Sequence, residues 1–432
     1  MLRDVCPGKG PSPTGSPCHK LPMTIVGFVA AALVSFDVSA GSIWPDQPQD
    51  YFPIGTFYQP SARRGTTSFA GWKARGVNTL FGYETEGGTV SIDQYTAAAA
   101  NAGLKLVREP RADPTLDVEP NLVGWLQPDE PEDKGISAAS LVATYNALKA
   151  VNPNRPVMGN FVGSHMVGTY HGYTFSTPLT QADYAPYFAG ADWVGQDIYP
   201  VTGWNLPQAI GVTGAATATL KSWSNKPTFT YIETSNARAF SASYPQWAER
   251  GPTPAEVRCE MWDSIIHGAN GLIFFPQSFT GFRYDATPID VAAEITRQDA
   301  AIAGLASALN SDDTPAATSV TFDKNSMEYI TRAYNGVTYL IALNLSDAGT
   351  TTTFSANFAA AISELQVLGE NRTLEADGSL KFTDNFDAYG VHIYAENPAG
   401  APTLSVPEPA GLLMVSLMMP LLTRRRKTKA SL

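Results

Sequence analysis

From residue 51 to about 310, short apolar runs alternate with segments whose apolar residues recur at helical spacing. The runs are YFPIGTFY (51–58), GVNTLFGY (76–83), GLKLVRE (103–109), NLVGWLQ (121–127), RPVMGNF (155–161), DWVGQDIY (192–199), PTFTYIE (227–233) and NGLIFFPQ (270–277). Their continuous apolar character predicts strands buried on both faces. Between them, residues 91–103 open at a Ser cap and stop at Gly, and 137–153 end at a Pro. Residues 253–269 open with Thr253, Pro254 and Glu256, a capping box with Pro at the first helical position, and 291–310 follow the eighth run. Eight strand–helix alternations predict a (β/α)8 TIM barrel. The interval between the third and fourth runs is too short for a full helix, so a truncated helix or loop is expected there.

After Asn310 the pattern changes to alternating β-branched or aromatic and polar residues. Asn335-Gly336 lies between two such runs and signals a hairpin. A small antiparallel β-domain is therefore expected behind the barrel. The expected division is a leader with signal peptide at 1–40, the barrel at 41–310, the β-domain at 311–397, a linker at 398–405 and a tail at 406–432.

Both ends read as addresses. An apolar stretch from Thr24 to Ser35 leads to Val38-Ser39-Ala40, small residues that suit signal peptidase with a cut after Ala40. The tail has Val406-Pro407-Glu408-Pro409, an apolar plug from Ala410 to Leu422, then Arg424, Arg425, Arg426, Lys427 and Lys429. The plug falls short of the ~20 residues a membrane span needs. Together, these features resemble the PEP-CTERM sorting signal of Gram-negative bacteria. That resemblance implies export, membrane contact only transiently through the tail, processing by an exosortase-type enzyme, and residence in the cell envelope or at the extracellular surface.

Charge and composition narrow the function. The net charge of −11 makes nucleic acid a poor partner. With Cys6 and Cys18 in the leader, Cys259 stands alone and is expected as a buried, inert thiol. The five His residues (His19, His165, His171, His267 and His392) do not form a clustered metal set, so no metal is expected. Gly163-Ser164-His165 is not a GxSxG elbow, and no Walker-type loop is present. No cofactor is expected.

Barrel active sites lie at the carboxyl ends of the strands. Glu130, in GWLQPDEP, follows the fourth run, and Glu233, in TYIETSN, ends the seventh. Two facing carboxyls, one protonated and one ionised, are what glycoside hydrolysis needs. The acids Glu84, Glu86, Glu109 and Asp197 crowd the same rim, most of them expected as structural residues or hydroxyl acceptors. Tyr199 is placed to orient Glu233, or to pack with a wet hydroxyl. Asn160 ends the fifth run, and Trp125, Tyr58 and Tyr83 lie in or near rim loops, where aromatic faces stack on sugar rings. Asp129 is either a cap or a substrate-binding residue.

On GWLQPDEP and TYIETSN, supported by DWVGQDIYP and the helix–strand stretch 253–275, the region 51–310 resembles the clan A retaining glycoside hydrolases. The resemblance implies a carbohydrate substrate, with Glu130 as acid/base and Glu233 as nucleophile. In the common pattern an Asn precedes the acid/base Glu, whereas here the residue is Asp129. The alternative from another class is a non-catalytic carbohydrate-binding or surface-matrix protein on the same scaffold. An acid pair blocked by a basic side chain, or turned apart, would favour that alternative.

Overall fold

The computed structural model describes residues 48–61, 63–237, 250–279, 281–315, 319–358 and 362–396. The expected leader, linker and sorting tail lie outside the described residues. Among those described, no helix is long and apolar enough to cross a membrane.

Each of the eight apolar runs contains a strand: β1 Ile54–Phe57, β2 Thr79–Phe81, β3 Lys105–Arg108, β4 Leu122–Leu126, β5 Val157–Val162, β6 Trp193–Asp197, β7 Thr228–Glu233 and β8 Gly271–Phe275. All neighbours pair in parallel and the ring closes between β1 and β8. Side chains alternate across the wall. Phe57, Phe81, Val107, Leu126, Met158, Trp193, Phe229, Tyr231 and Ile273 fill the interior. Ile54, Leu80, Leu106, Leu122, Ile232 and Leu272 face outward into a second core shared with the helices. The interior is crowded enough to require glycine in the wall: a Cβ on Gly55 would lie 2.3 Å from the Phe81 ring.

The helices are α1 Phe69–Ala74, α2 Ile92–Asn101, α3 Ala138–Val151, α4 Gly163–Val167, α5 Gln181–Phe188, α6 Val212–Ser224, α7 Pro254–Ile266 and α8 Ile289–Leu309, of which α2, α3, α7 and α8 lie in the expected segments. The expected capping box of Thr253 with Glu256 is made, and the Ser91 cap extends to a box with Gln94. Between β5 and β6 the chain adds a short helix, Gly163–Val167, and a hairpin, Thr169–Tyr170 with Tyr173–Thr174, before the helix Gln181–Phe188.

The β3–β4 link carries only a single 3₁₀ turn, Pro114–Leu116, as its length required. A buried polar network holds this side of the barrel. The Arg108 guanidinium, wholly inaccessible, meets Asp117 at 2.8 Å. Asp117 also accepts from Trp125 Nε1 at 2.8 Å and from Arg111 Nη1 at 2.6 Å. The Arg155 guanidinium stacks over the Trp125 ring at 4.7 Å and donates to the Asp117 carbonyl at 2.6 Å.

Residues 320–396 form two antiparallel sheets. Strands β9 Val320–Phe322, β12 Thr350–Ala356 and β15 Phe382–Phe386 make one. Strands β10 Met327–Tyr334, β11 Val337–Asn344, β13 Glu364–Val367, β14 Arg372–Glu375 and β16 Val391–Glu396 make the other, in the order β10-β11-β16-β13-β14. Asn335 and Gly336 form the predicted hairpin turn, both with positive φ (52° and 78°). Val337, Tyr339, Ile341, Ile393 and Ala395 join Trp262, Ile265, Ile302 and Leu305 of α7 and α8 in one apolar cluster. Arg258 of α7 adds hydrogen bonds to the carbonyls of Tyr389 at 2.9 Å and Ala388 at 3.2 Å.

His267, which ends α7, lies 3.0 Å from Asp263 Oδ1. Burial opposes its protonation, but Asp263 overrides burial and, with Glu328 of β10, lifts the imidazole pKa from 6.5 to about 9. A raised histidine stabilises the fold fully below about 6.5, and that contribution is lost as pH climbs through 9. Thermal unfolding should therefore weaken by on the order of 2 kcal/mol between pH 6 and 10, and His267→Gln should flatten that part of the profile. An unaltered slope in the variant would refute this.

Candidate active site at the barrel mouth

Proline on either side fixes the stretch after β4. Gln127 anchors its start by donating to the carbonyls of Leu141 (2.9 Å) and Gly190 (3.0 Å). Glu130 adopts a left-handed conformation (φ 46°), and its N–H bonds the Asn160 carbonyl at 3.1 Å. Such a backbone is uncommon for a non-glycine residue, and strain of this kind clusters at functional sites. The chain then turns back, Lys134 N–H donating to the Glu130 carbonyl at 3.0 Å. That turn brings Lys134 Nζ to 2.9 Å from Asp129 and 3.3 Å from Glu130. Asn160, buried at the end of β5, donates from Nδ2 to Asp129 Oδ1 at 2.9 Å.

Asp197, ending β6, lies close enough to Glu130 for the charge of one to disfavour ionisation of the other. Burial raises Asp197 well above the usual carboxyl range, reinforced by the charges of Glu130 and Asp129. Glu130 is raised by burial and by Asp129, with Lys134 pulling the other way. Just past β3, Glu109 is pushed up to about 7, by burial first and also by Asp129. It accepts from the Tyr58 hydroxyl and from Tyr83 N–H at 3.0 Å. Tyr199 stacks on Phe275 with centroids 5.0 Å apart, and its hydroxyl lies 3.5 Å from Asp197 Oδ2. The Tyr231 phenol, buried in the interior, has no hydrogen-bond partner among the described residues.

The mouth thus gathers Glu130, Asp129, Asp197, Asn160, Tyr58 and Tyr199. Four of the sequence expectations change. Glu233 ends β7 as expected, but it is wholly buried. Its carboxylate oxygens accept from the N–H groups of Val201 (2.6 Å) and Thr202 in the loop after β6. Glu260 of α7 lies near it, and burial raises Glu233 to about 7 and, with the charge of Glu233 added, Glu260 well above the ordinary range. The Tyr199 hydroxyl therefore turns to Asp197, not to Glu233. Trp125 lies on the outer face of β4, buried against Leu148 and Val157, because Leu126 beside it takes the inward position. Tyr83 spends its hydroxyl on the Val90 carbonyl and packs edge-on against Tyr95, away from the mouth.

Lys134, Glu260 and Tyr231 were not singled out from sequence. Lys134 was legible, since it follows Glu130 by four residues beyond a Pro-bounded turn. Among the described residues no group of three His, Cys, Asp or Glu side chains is placed to hold a metal ion. Cys259 is free and buried.

No protein-family model matches the chain, and no curated protein matches it either. Solved structures do resemble it. An Anoxybacillus alpha-amylase aligns with TM-score 0.50 at 9% identity, covering 81% of this chain and 98% of that one. A candidate alpha-galactosidase/melibiase from Bacteroides fragilis gives TM-score 0.50 at 9% identity, covering 81% and 80%. A family 39 glycoside hydrolase from Bacteroides cellulosilyticus gives 0.47 at 14%, covering 81% and 82%. At these identities the similarity establishes the fold: a TIM barrel followed by antiparallel sheets.

Proposed function

We propose that the barrel mouth cleaves O-glycosidic bonds of an oligo- or polysaccharide, with Glu130 delivering the proton. The observation that carries this reading is Glu130 on a left-handed turn at the strand ends, its carboxyl raised by burial beside Asp197 and the partly exposed Asp129. A carboxyl that keeps its proton to higher pH than usual is what the acid role requires. The similar barrels at TM-score 0.50, an alpha-amylase and a candidate alpha-galactosidase by name, agree with it in fold.

Glu233 in its present setting braces the loop that carries Tyr199. For it to act as the nucleophile, its oxygens would have to leave Val201 and Thr202. Glu109 and Asp129 are the other candidates for the second carboxylate. The test is sugar release from aryl glycosides and a polysaccharide panel, comparing Glu130→Gln with Glu109→Gln, Asp129→Asn and Glu233→Gln. A Glu233→Gln enzyme that loses turnover at full stability restores the nucleophile role; one that loses stability as well supports the brace. The anomeric configuration of the first product decides between retention and inversion.

A second reading, glycan binding without cleavage, is favoured by Lys134 lying over Asp129 and Glu130 and by the enclosure of Glu233. Saturable binding with no turnover anywhere on the panel would select it.

We also propose, from the leader and tail sequences, that the site operates outside the cytoplasm after processing at both ends. Mass spectrometry of the mature chain should find Gly41 first and the basic cluster absent. An intact Arg424–Lys429 segment on the mature protein would count against sorting-tail processing.

A further inference from the structure

Lys134 closes the turn that begins at Glu130. Its N–H donates to the Glu130 carbonyl at 3.0 Å, and this one-turn step folds its side chain back towards the mouth. Nζ then sits 2.9 Å from Asp129 Oδ2 and 3.3 Å from Glu130 Oε2. The other Asp129 oxygen, Oδ1, accepts from Asn160 Nδ2 at 2.9 Å. Asp129 is thus pinned between a buried amide and a surface ammonium, and Glu130 shares the ammonium. Lys134 is no plug. Its side chain is 46% exposed, and with it in place those of Asp129 and Glu130 remain 27% and 28% exposed. A half-exposed lysine on a flexible stem holds its partners weakly, so a ligand hydroxyl can move it aside.

We infer that Lys134 is a positioning residue for the proposed cleavage: it holds the Glu130 carboxyl in place and sets the upper pH limit of turnover. This rests on the reading of Glu130 as the proton donor and names the regulation of that site. The groups that face Glu130 are Asp129 and Lys134 on its own turn, Glu132 just beyond, Asp197 and the Tyr199 phenol from β6 and the loop after it, and the Tyr231 phenol from β7. Glu109, just past β3, faces Asp129. His165, on α4, reaches Asp133 at 3.9 Å instead. Among these described groups Lys134 brings the positive charge. Burial and Asp129 keep the proton on Glu130, and the ammonium works against them. A cation beside the carboxyl therefore lowers the pH at which the acid form runs out. The same charge makes Glu130 the stronger acid, since a proton held less tightly passes more readily to a leaving oxygen.

The test compares Lys134→Met, which keeps the length and loses the charge, with Lys134→Arg, which keeps the charge. Carbon-13 NMR of the glutamate carboxyls in the full chain follows the titration of Glu130, whose resonance is the one absent from Glu130→Gln. In Lys134→Met its midpoint should move up by about half a unit to one unit of pH, the worth of a half-exposed charge at this distance. Lys134→Arg should leave it near the wild-type value. Sugar release against pH should show the same upward displacement of the alkaline limb in Lys134→Met, with no rise in the plateau rate. An unmoved Glu130 midpoint overturns the inference whatever the activity, and so does a midpoint that moves while the alkaline limb stays. A rate that rises in Lys134→Met at every pH overturns it in favour of a plug. Failure of the cleavage reading looks different: no sugar is released by the wild type or by either lysine variant although the midpoint moves, and the inference then falls with the reading it rests on.

Discussion

Glu130→Gln should lower turnover of a cleavable glycoside by about 10²–10⁴-fold, the usual worth of a positioned proton donor. Glutamine keeps the size of the side chain, but it carries no transferable proton. The loss should be greatest on natural glycosides, whose leaving oxygen needs protonation, and smallest on aryl glycosides with acidic phenol leaving groups. Burial and Asp129 raise Glu130 above the usual carboxyl range, so the wild type should hold its acid form nearer neutrality than a free glutamate. Activity should therefore persist as pH rises from acid towards neutral and then fall. In the variant that alkaline limb should disappear along with most of the rate. A variant within threefold of wild type on a natural polymer, with unchanged thermal stability, would remove Glu130 from the chemistry.

Asp117→Ala should cost about 3–5 kcal/mol, the penalty for stripping a buried guanidinium of its nearest carboxylate and leaving only Glu119 at 3.5 Å. Arg108 is fully enclosed and has no route to water, and Trp125 Nε1 would lose its acceptor at the same time. Burial disfavours the Asp117 carboxylate, but its bonds from Arg108 and Trp125 overcome that and hold it below the usual range. A depressed carboxyl stabilises the fold above its unfolded pKa of about 3.9, and that contribution is lost as pH falls below it. Urea unfolding of wild type and variant at pH 7 measures the effect, and the difference should shrink on acidification. A cost below about 1 kcal/mol at pH 7 would mean that the network contributes little beyond an exposed pair.

The barrel was legible because strands covered on both faces need apolar residues at every position, and eight such runs stand out against helical spacing. The hairpin at Asn335-Gly336 was legible because a two-residue turn with positive φ at both positions selects those residue types. The addition between β5 and β6 was not, since its two-residue strands are too short to leave a period. Within the site, the Pro-bounded Asp129-Glu130 turn could be read directly. Glu233 could not. Its parity along β7 matches Phe229 and Tyr231, which do face inward, and alternation alone points it to the mouth. Its fate depends on where the N–H groups of Val201 and Thr202 pass, a matter of loop path about 30 residues away in the chain. Trp125 was not decidable by alternation either, because Leu122 and Leu126 share a parity along β4 yet face opposite sides of the wall.

The β11 and β16 side chains that complete the core around α7 and α8 bear on how this architecture can change over time. That core draws on both parts, so deleting the rear sheets would uncover Trp262, Ile302 and Leu305, and grafting in foreign sheets would mismatch them. The two parts should melt in a single calorimetric step and be inherited as one unit. Diversification among descendants of such a chain is left to the loops above the strand ends, where length and composition can vary without disturbing either wall.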